Sequence, residues 1–227
     1  MRFIALDSST EWCSAALWQD GEIAAIERRA EHRHGELLLP MVERLLAQAG
    51  LGARALDGVA FGAGPGAFTG LRIACGLAQG LAFSRDLPVV GVSSLEALAE
   101  CAAAPRVVAC LDARMREVYL AAFERRADGW AVMREAACLP PDAVAALPSG
   151  GGWVGAGNGF AAHGEQLARR FGAALVALWP ALRPGAYAIA RLAAPRFARG
   201  EGVDAALAAP HYLRDKVALT RAERRAP

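Results

Sequence analysis

The sequence predicts an α/β protein of two packed lobes, each a mixed sheet flanked by helices. Three observations predict this. A three-strand start followed by alternating helix and strand is found twice along the 227 residues. Hydrophobic residues make up 55% and charged residues 21% with no low-complexity tract, so a buried core is expected and disorder is not. No linker rich in Pro, Gly and Ser separates the two runs. The lobes are therefore expected to span 1–103 and 104–227 and to meet across a cleft, the last segment being free to pack back on the first lobe.

The first lobe opens with short apolar runs at Phe3–Leu6 and Cys13–Trp18, and with Glu22–Ile26 after the turn Gln19-Asp20-Gly21. From Glu36 to Ala47, Leu37, Leu38, Met41, Val42, Leu45 and Leu46 recur at helical spacing, and Gly50 and Gly52 end that helix. Val59–Phe61 is a buried strand, Phe68–Phe83 a helix, Pro88–Val92 a strand, and Ser93 caps a helix to about Ala102. The second lobe repeats the scheme loosely. Strands are expected at Arg106–Leu111, Glu117–Phe123, Trp130–Arg134, Trp153-Val154 and Leu175–Leu178, with helices at Phe160–Phe171 and Ala186–Arg199.

Charge and cysteine content exclude several classes. A net charge of +2 is too small for nucleic-acid binding through bulk electrostatics, so any RNA contact needs a local patch or a partner. The five cysteines are odd in number and lack C-x-x-C spacing, so reduced cytosolic thiols are expected rather than a zinc site or disulfide framework. Asp7 comes too early for a signal peptide, and the uncharged run Ala143–Ala162 is broken by Pro148 and a glycine cluster. The expectation is a cytoplasmic protein without a membrane span.

Two loops carry candidate chemistry. Asp7-Ser8-Ser9-Thr10 ends the first strand, and Asp7, Ser9 and Thr10 suit phosphate and a hydrated Mg²⁺; an ordinary side-chain-bonded β-turn is the simpler alternative. Gly64-Pro65-Gly66-Ala67-Phe68-Thr69-Gly70-Leu71-Arg72 lies between a strand and a helix, where Gly64, Gly66, Thr69 and Gly70 could cradle an anion. It is neither a Walker loop nor a G-x-G-x-x-G loop, and its glycines serve close backbone packing just as well. The helix that follows has almost no polar face, with small residues at Ala74/Ala78 and Gly76/Gly80. It is either a central core helix or one covered on one side by another chain. On the second reading the association surface comprises Leu37, Leu38, Met41 and Leu45 of the first helix with Leu71, Ala74, Cys75 and Ala78 of the second.

Leu6-Asp7 with Ser9-Thr10, the Gly64–Arg72 string, Asp112-Ala113-Arg114-Met115-Arg116-Glu117-Val118-Tyr119 and Pro210-His211-Tyr212-Leu213-Arg214-Asp215-Lys216-Val217-Ala218 together resemble the TsaB (YeaZ) family. The matches run in order over nearly the whole chain. Ala67 and Ser8 depart from the family's usual serine and threonine. The resemblance implies the acetate kinase/hexokinase/Hsp70/actin (ASKHA) fold and a role in threonylcarbamoylation of adenosine at position 37 of tRNA. It further implies a noncatalytic subunit that pairs, through helices of its N-terminal lobe, with a TsaD-like paralogue carrying the catalytic metal. A TsaE-like ATPase joins them, and tRNA is met through the complex. No intrinsic cofactor is implied, ATP or ADP binding being weak and dependent on partners, and a homodimer is expected in isolation. TsaD-like proteins hold their metal with His-x-x-x-His; the corresponding stretch here is Gly91–Leu98, with Ser94 and Leu98 at the two ligand positions.

Other candidates carry less. His32 and His34 diverge by about 200° on a helix, and His163 and His211 are isolated in sequence. Asp112, Arg114 and Glu117 form either a charged cluster at the cleft or a stabilising ion pair. The basic tail Arg221–Pro227 is expected to be a flexible terminus within reach of tRNA phosphates. An ATPase or small-molecule kinase using Asp7 and the Gly64-Pro65-Gly66 loop is the alternative, and a protease is least supported, for want of a metal pair or triad.

Overall fold

The computed structural model describes residues 1–148 and 150–214. The tail Arg221–Pro227 and the end of the C-terminal motif, 215–218, lie outside the described residues.

The first sheet contains β1 (Arg2–Asp7), β2 (Trp12–Gln19), β3 (Glu22–Arg29), β4 (Gly58–Gly64) and β5 (Val89–Ser93) in the order β3-β2-β1-β4-β5. β1 to β3 are antiparallel, and β4 and β5 join in parallel. Central β1 has Phe3 to Leu6 fully buried, as a strand covered on both faces must be. The second sheet contains β6 (Arg106–Arg114), β7 (Glu117–Arg126), β8 (Gly129–Leu139), β9 (Trp153–Ala156) and β10 (Leu175–Trp179) in the order β10-β9-β6-β7-β8. Read from the other edge, this is the first sheet's order and pairing pattern again, so the two lobes share one topology.

The helices follow the duplication with one omission. In the first lobe α1 (His34–Gln48) precedes β4, α2 (Phe68–Phe83) precedes β5, and α3 (Ser94–Ala102) follows it. In the second, α4 (Asn158–Phe171) and α5 (Ala186–Ala198) match α2 and α3. In place of an α1 counterpart the described residues make a short turn at Pro141–Ala143. α1 and α2 cover the outer face of the first sheet, and α4 covers that of the second. α3 and α5 lie between the sheets: α5 packs Ile189 and Ala193 on the first, α3 packs Leu95 and Leu98 on the second. Ser93 caps α3, its Oγ accepting from the Glu96 amide at 3.4 Å.

The division at residue 103 separates the sheets, and α5 with the chain after it packs back on the first lobe. The carbonyl of Ala208 accepts from Gln79 Nε2 at 3.0 Å and from Cys75 Sγ at 3.4 Å, and Val203 pairs with Val89. The expectation that needs correction is the association surface. Leu38, Met41, Leu45, Leu71, Ala74, Cys75 and Ala78 are buried inside their own lobe, and Leu37 is half-buried against the same cluster. The segment Ala205–Ala208 supplies the cover for α2 that the local sequence lacked. The outward faces of α1 and α2 carry different residues: Leu39 is 41% exposed, Phe83 is 73% exposed, and Gly76 and Gly80 are exposed beside half-buried Ile73 and Leu77.

Candidate functional site

The two glycine-rich and hydroxyl-rich loops meet where β1 and β4 end side by side in the first sheet. They are closed on each other. Ala67 N–H donates to the Ser9 carbonyl at 2.8 Å, and Ser8 Oγ donates to the Gly70 carbonyl at 2.7 Å. Ser9 N–H and Oγ donate to Asp7 Oδ1 at 3.3 and 3.1 Å, and Thr10 Oγ1 accepts from the Trp12 amide at 3.2 Å. The glycines permit this contact. A Cβ on Gly66 would sit 2.5 Å from the Ser9 carbonyl oxygen, and one on Gly70 would overlap the Ser8 carbonyl oxygen. The Ala67 amide, the Ser8 hydroxyl and both Ser9 donors are thus spent on contacts within the two loops.

Asp7 is 1% exposed, with Oδ2 facing Gly62 and Ile189 and no hydrogen-bond partner among the described residues. Burial pushes its carboxyl up to about 7, against the smaller opposing effect of the Ser9 hydrogen bonds. The position expected to orient a hydrated cation is closed off from solvent. A raised folded-state value means the folded protein binds the proton more tightly, so the Asp7 contribution to stability is most favourable below about 4 and falls as pH rises toward 7. Asp7→Asn is expected to remove that slope. Thermal midpoints at pH 4 should nearly coincide, while above pH 7 the variant should gain stability on the order of 4 kcal/mol over the parent. A constant difference across that range would contradict the assignment.

Between the lobes lies a cleft of about 640 Å³. Of the proposed loop residues, Ser9, Thr10 and Gly66 line it; Asp7, Gly64, Thr69 and Gly70 do not. Thr69 is exposed elsewhere, and Gly64 holds a φ of +111° against the His211 carbonyl. The cleft also takes Phe68, Asp112, Arg114, Met115, Asn158 and Arg214. Asp112 lies 3.3 Å from Arg114 Nη1 and 3.7 Å from His163 Nε2, and its amide donates to Asn158 Oδ1 at 2.9 Å. Glu117 accepts from Arg214 and from Cys138 Sγ at 3.5 Å. His34 Nε2 bonds the Thr10 carbonyl at 2.8 Å. Pairing of His163 with Asp112 carried no local sequence signal, and the arrival of Arg214 in the cleft could not be read from the motif that contains it.

Ser94 and Leu98 are fully buried, Leu98 among the residues packed between α3 and the second sheet. Among the described residues no three His, Cys, Asp or Glu side chains come together as a metal site would require. No helix among the described residues is long and apolar enough to cross a membrane.

Residues 26–221 match the family model described as "TsaD: tRNA N6-adenosine threonylcarbamoyltransferase". The chain is 39% identical over 225 residues to the tRNA threonylcarbamoyladenosine biosynthesis protein TsaB of Escherichia coli (strain K12), covering 96% of both chains. It is 37% identical over 230 residues to the protein of that name from Haemophilus influenzae, covering 96% of this chain and 95% of that one. Among solved structures it resembles YeaZ from Pseudomonas aeruginosa with a TM-score of 0.87 and 43% identity, covering 93% of this chain and 99% of that one. Near-complete coverage in both directions, a common two-lobed fold and the in-order motifs leave one assignment: the chain belongs to the TsaB (YeaZ) family, in the ASKHA-like group represented by the TsaD model.

Proposed function

We propose that this chain takes part in tRNA threonylcarbamoyladenosine biosynthesis as a noncatalytic subunit. It pairs with a TsaD-family transferase that modifies adenosine 37, and a TsaE-like ATPase joins the pair. The observation that carries the reading is the closure of the two loops: Ala67 N–H, Ser8 Oγ and both Ser9 donors are bonded within the protein, and Asp7 is sealed from the cleft. A nucleotide enzyme built on these loops needs those donors turned outward. Support for pairing comes from the outward face of α1 and α2. Leu39, Phe83 and two open glycines one helical turn apart give a surface onto which a second helix pair can pack closely. In the absence of the transferase the same face serves a homodimer. ATP or ADP is held only in the assembly.

The test is reconstitution. The full chain mixed with the TsaD-family transferase of the same organism should co-elute in size-exclusion chromatography. Together with the TsaE-like ATPase it should raise threonylcarbamoyladenosine formation on tRNA well above the transferase alone. Separate elution with no stimulation would sink the reading.

A further inference from the structure

The turn Arg114-Met115-Arg116 and the aromatic cluster at the start of α2 take no part in the loop closure or in the proposed pairing face. They form one continuous surface. Arg72 Nε donates to Tyr212 Oη at 3.0 Å, and its guanidinium lies 3.9 Å from the centroid of the Phe68 ring. Phe68 and Tyr212 are 5.4 Å apart and tilted at 34°, each 39% exposed. Two residues on, Arg214 reaches Met115 Sδ at 3.7 Å and the Arg114 carbonyl at 3.5 Å.

Charge on this surface is sorted by depth. The Arg114 side chain is 86% exposed while its partner Asp112 is 16% exposed, so the cation faces out and the carboxylate in. Arg72 and Arg116 are exposed and have no ion pair among the described residues. The carboxylates Glu11 and Glu31 line the same cleft together with Arg29, His32 and His34. Arg114, Met115 and Arg116 hold φ of +60°, +52° and +60°, three consecutive non-glycine residues in the left-handed region. Such strain concentrates where a turn presents side chains for a purpose.

Outward guanidinium groups beside exposed rings match a ligand that alternates phosphates with flat π faces. We infer that the rim formed by Phe68, Arg72 and Tyr212 with the Arg114–Arg116 turn binds a single-stranded stretch of the tRNA, such as its anticodon loop. The inference rests on the tRNA pathway proposed above. Duplex RNA hides its base faces, whereas a loop offers bases to stack and phosphates to pair. An acidic peptide would satisfy the arginines but leave the rings unused.

Fluorescence anisotropy with a labelled anticodon stem–loop RNA tests this, using the full chain alone and in complex with its transferase. Arg114→Gln with Arg116→Gln should weaken binding about tenfold and lower the slope of log K against log salt by about 1.4. Phe68→Ala with Tyr212→Ala should weaken it at least about fivefold with the salt slope kept. Unchanged affinity in both pairs overturns the inference, as does equal binding of a paired RNA duplex or of polyglutamate. Co-elution with the transferase should survive both substitutions. Its loss in the variants would give this rim to the protein interface, whereas failure of the unsubstituted chain to co-elute would count against the pairing reading and leave the RNA measurement on the chain alone decisive.

Discussion

Gly76→Glu combined with Gly80→Glu is expected to leave the chain folded and to lower its affinity for the TsaD-family transferase by at least about a hundredfold. Neither glycine has any atom within 4 Å of where a Cβ would stand, so the added side chains meet open space. Both lie inside α2, where glutamate favours helix by roughly 0.5 kcal/mol or more over glycine, so the thermal midpoint should hold or rise. In a helix-on-helix interface the same carboxylates would be buried unpaired, at a cost of several kcal/mol, and would hold the axes apart. The contrasting substitution is Ala74→Glu, which places a charge at a fully buried position and should unfold the lobe. Circular dichroism with size-exclusion chromatography separates the cases. Retained co-elution by the glycine double variant would place the partner elsewhere.

Glu100→Ala is the substitution expected to cost most stability without touching that face. Glu100 lies on α3 between the sheets, its side chain 5% exposed. Oε2 accepts from Arg125 Nη2 at 2.5 Å and Trp130 Nε1 at 3.0 Å, and Oε1 accepts from Arg191 Nε at 2.6 Å. One carboxylate therefore joins β7 and β8 of the second lobe to α5 on the first. Burial alone would raise its pKa, but the bonds from Arg191, Trp130 and Arg125 together hold it below the usual glutamate value. Removal leaves the indole N–H and two guanidinium groups without their acceptor. Both arginines keep access to water, so a loss of about 3 kcal/mol is expected, near the lower end for breaking a buried pair. For a chain of this size that lowers the midpoint by roughly 6 to 12 °C in calorimetry. Because the folded-state value is depressed, the contribution is full above 4.5 and fades as pH falls below it, so parent and Glu100→Gln should converge in acid. A midpoint shift under about 2 °C would show that the lobes do not depend on this clasp.

The sheets were legible because their strands are short apolar runs bounded by turn residues, and β1 is the clearest case: every residue from Phe3 to Asp7 is buried. The helices were legible by period, but not the direction in which each would bury. α2 reads as apolar all round, and its cover at Cys75 and Gln79 comes from Ala208, more than a hundred residues downstream. That distance is why the local sequence leaves open whether Ala74, Cys75 and Ala78 face the core or another chain. The glycines of the Gly64–Arg72 string were legible as demanding close backbone contact. That the contact would be the Ser8-Ser9 turn, and would occupy the Ala67 amide and the Ser8 hydroxyl, depends on β1 and β4 being neighbours in the sheet. The Asp112–Tyr119 motif stood out as a string, yet its three left-handed residues and its meeting with Arg214 appear only in the folded chain.

Titration of Mg-ATP into the isolated full-length chain, followed by calorimetry, tests the closed-loop account most directly. With the Ser8, Ser9 and Ala67 donors already bonded and Asp7 sealed, no saturable heat is expected up to millimolar nucleotide. Micromolar binding with hydrolysis, abolished by Asp7→Ala, would contradict it and return the chain to the nucleotide enzymes of its fold.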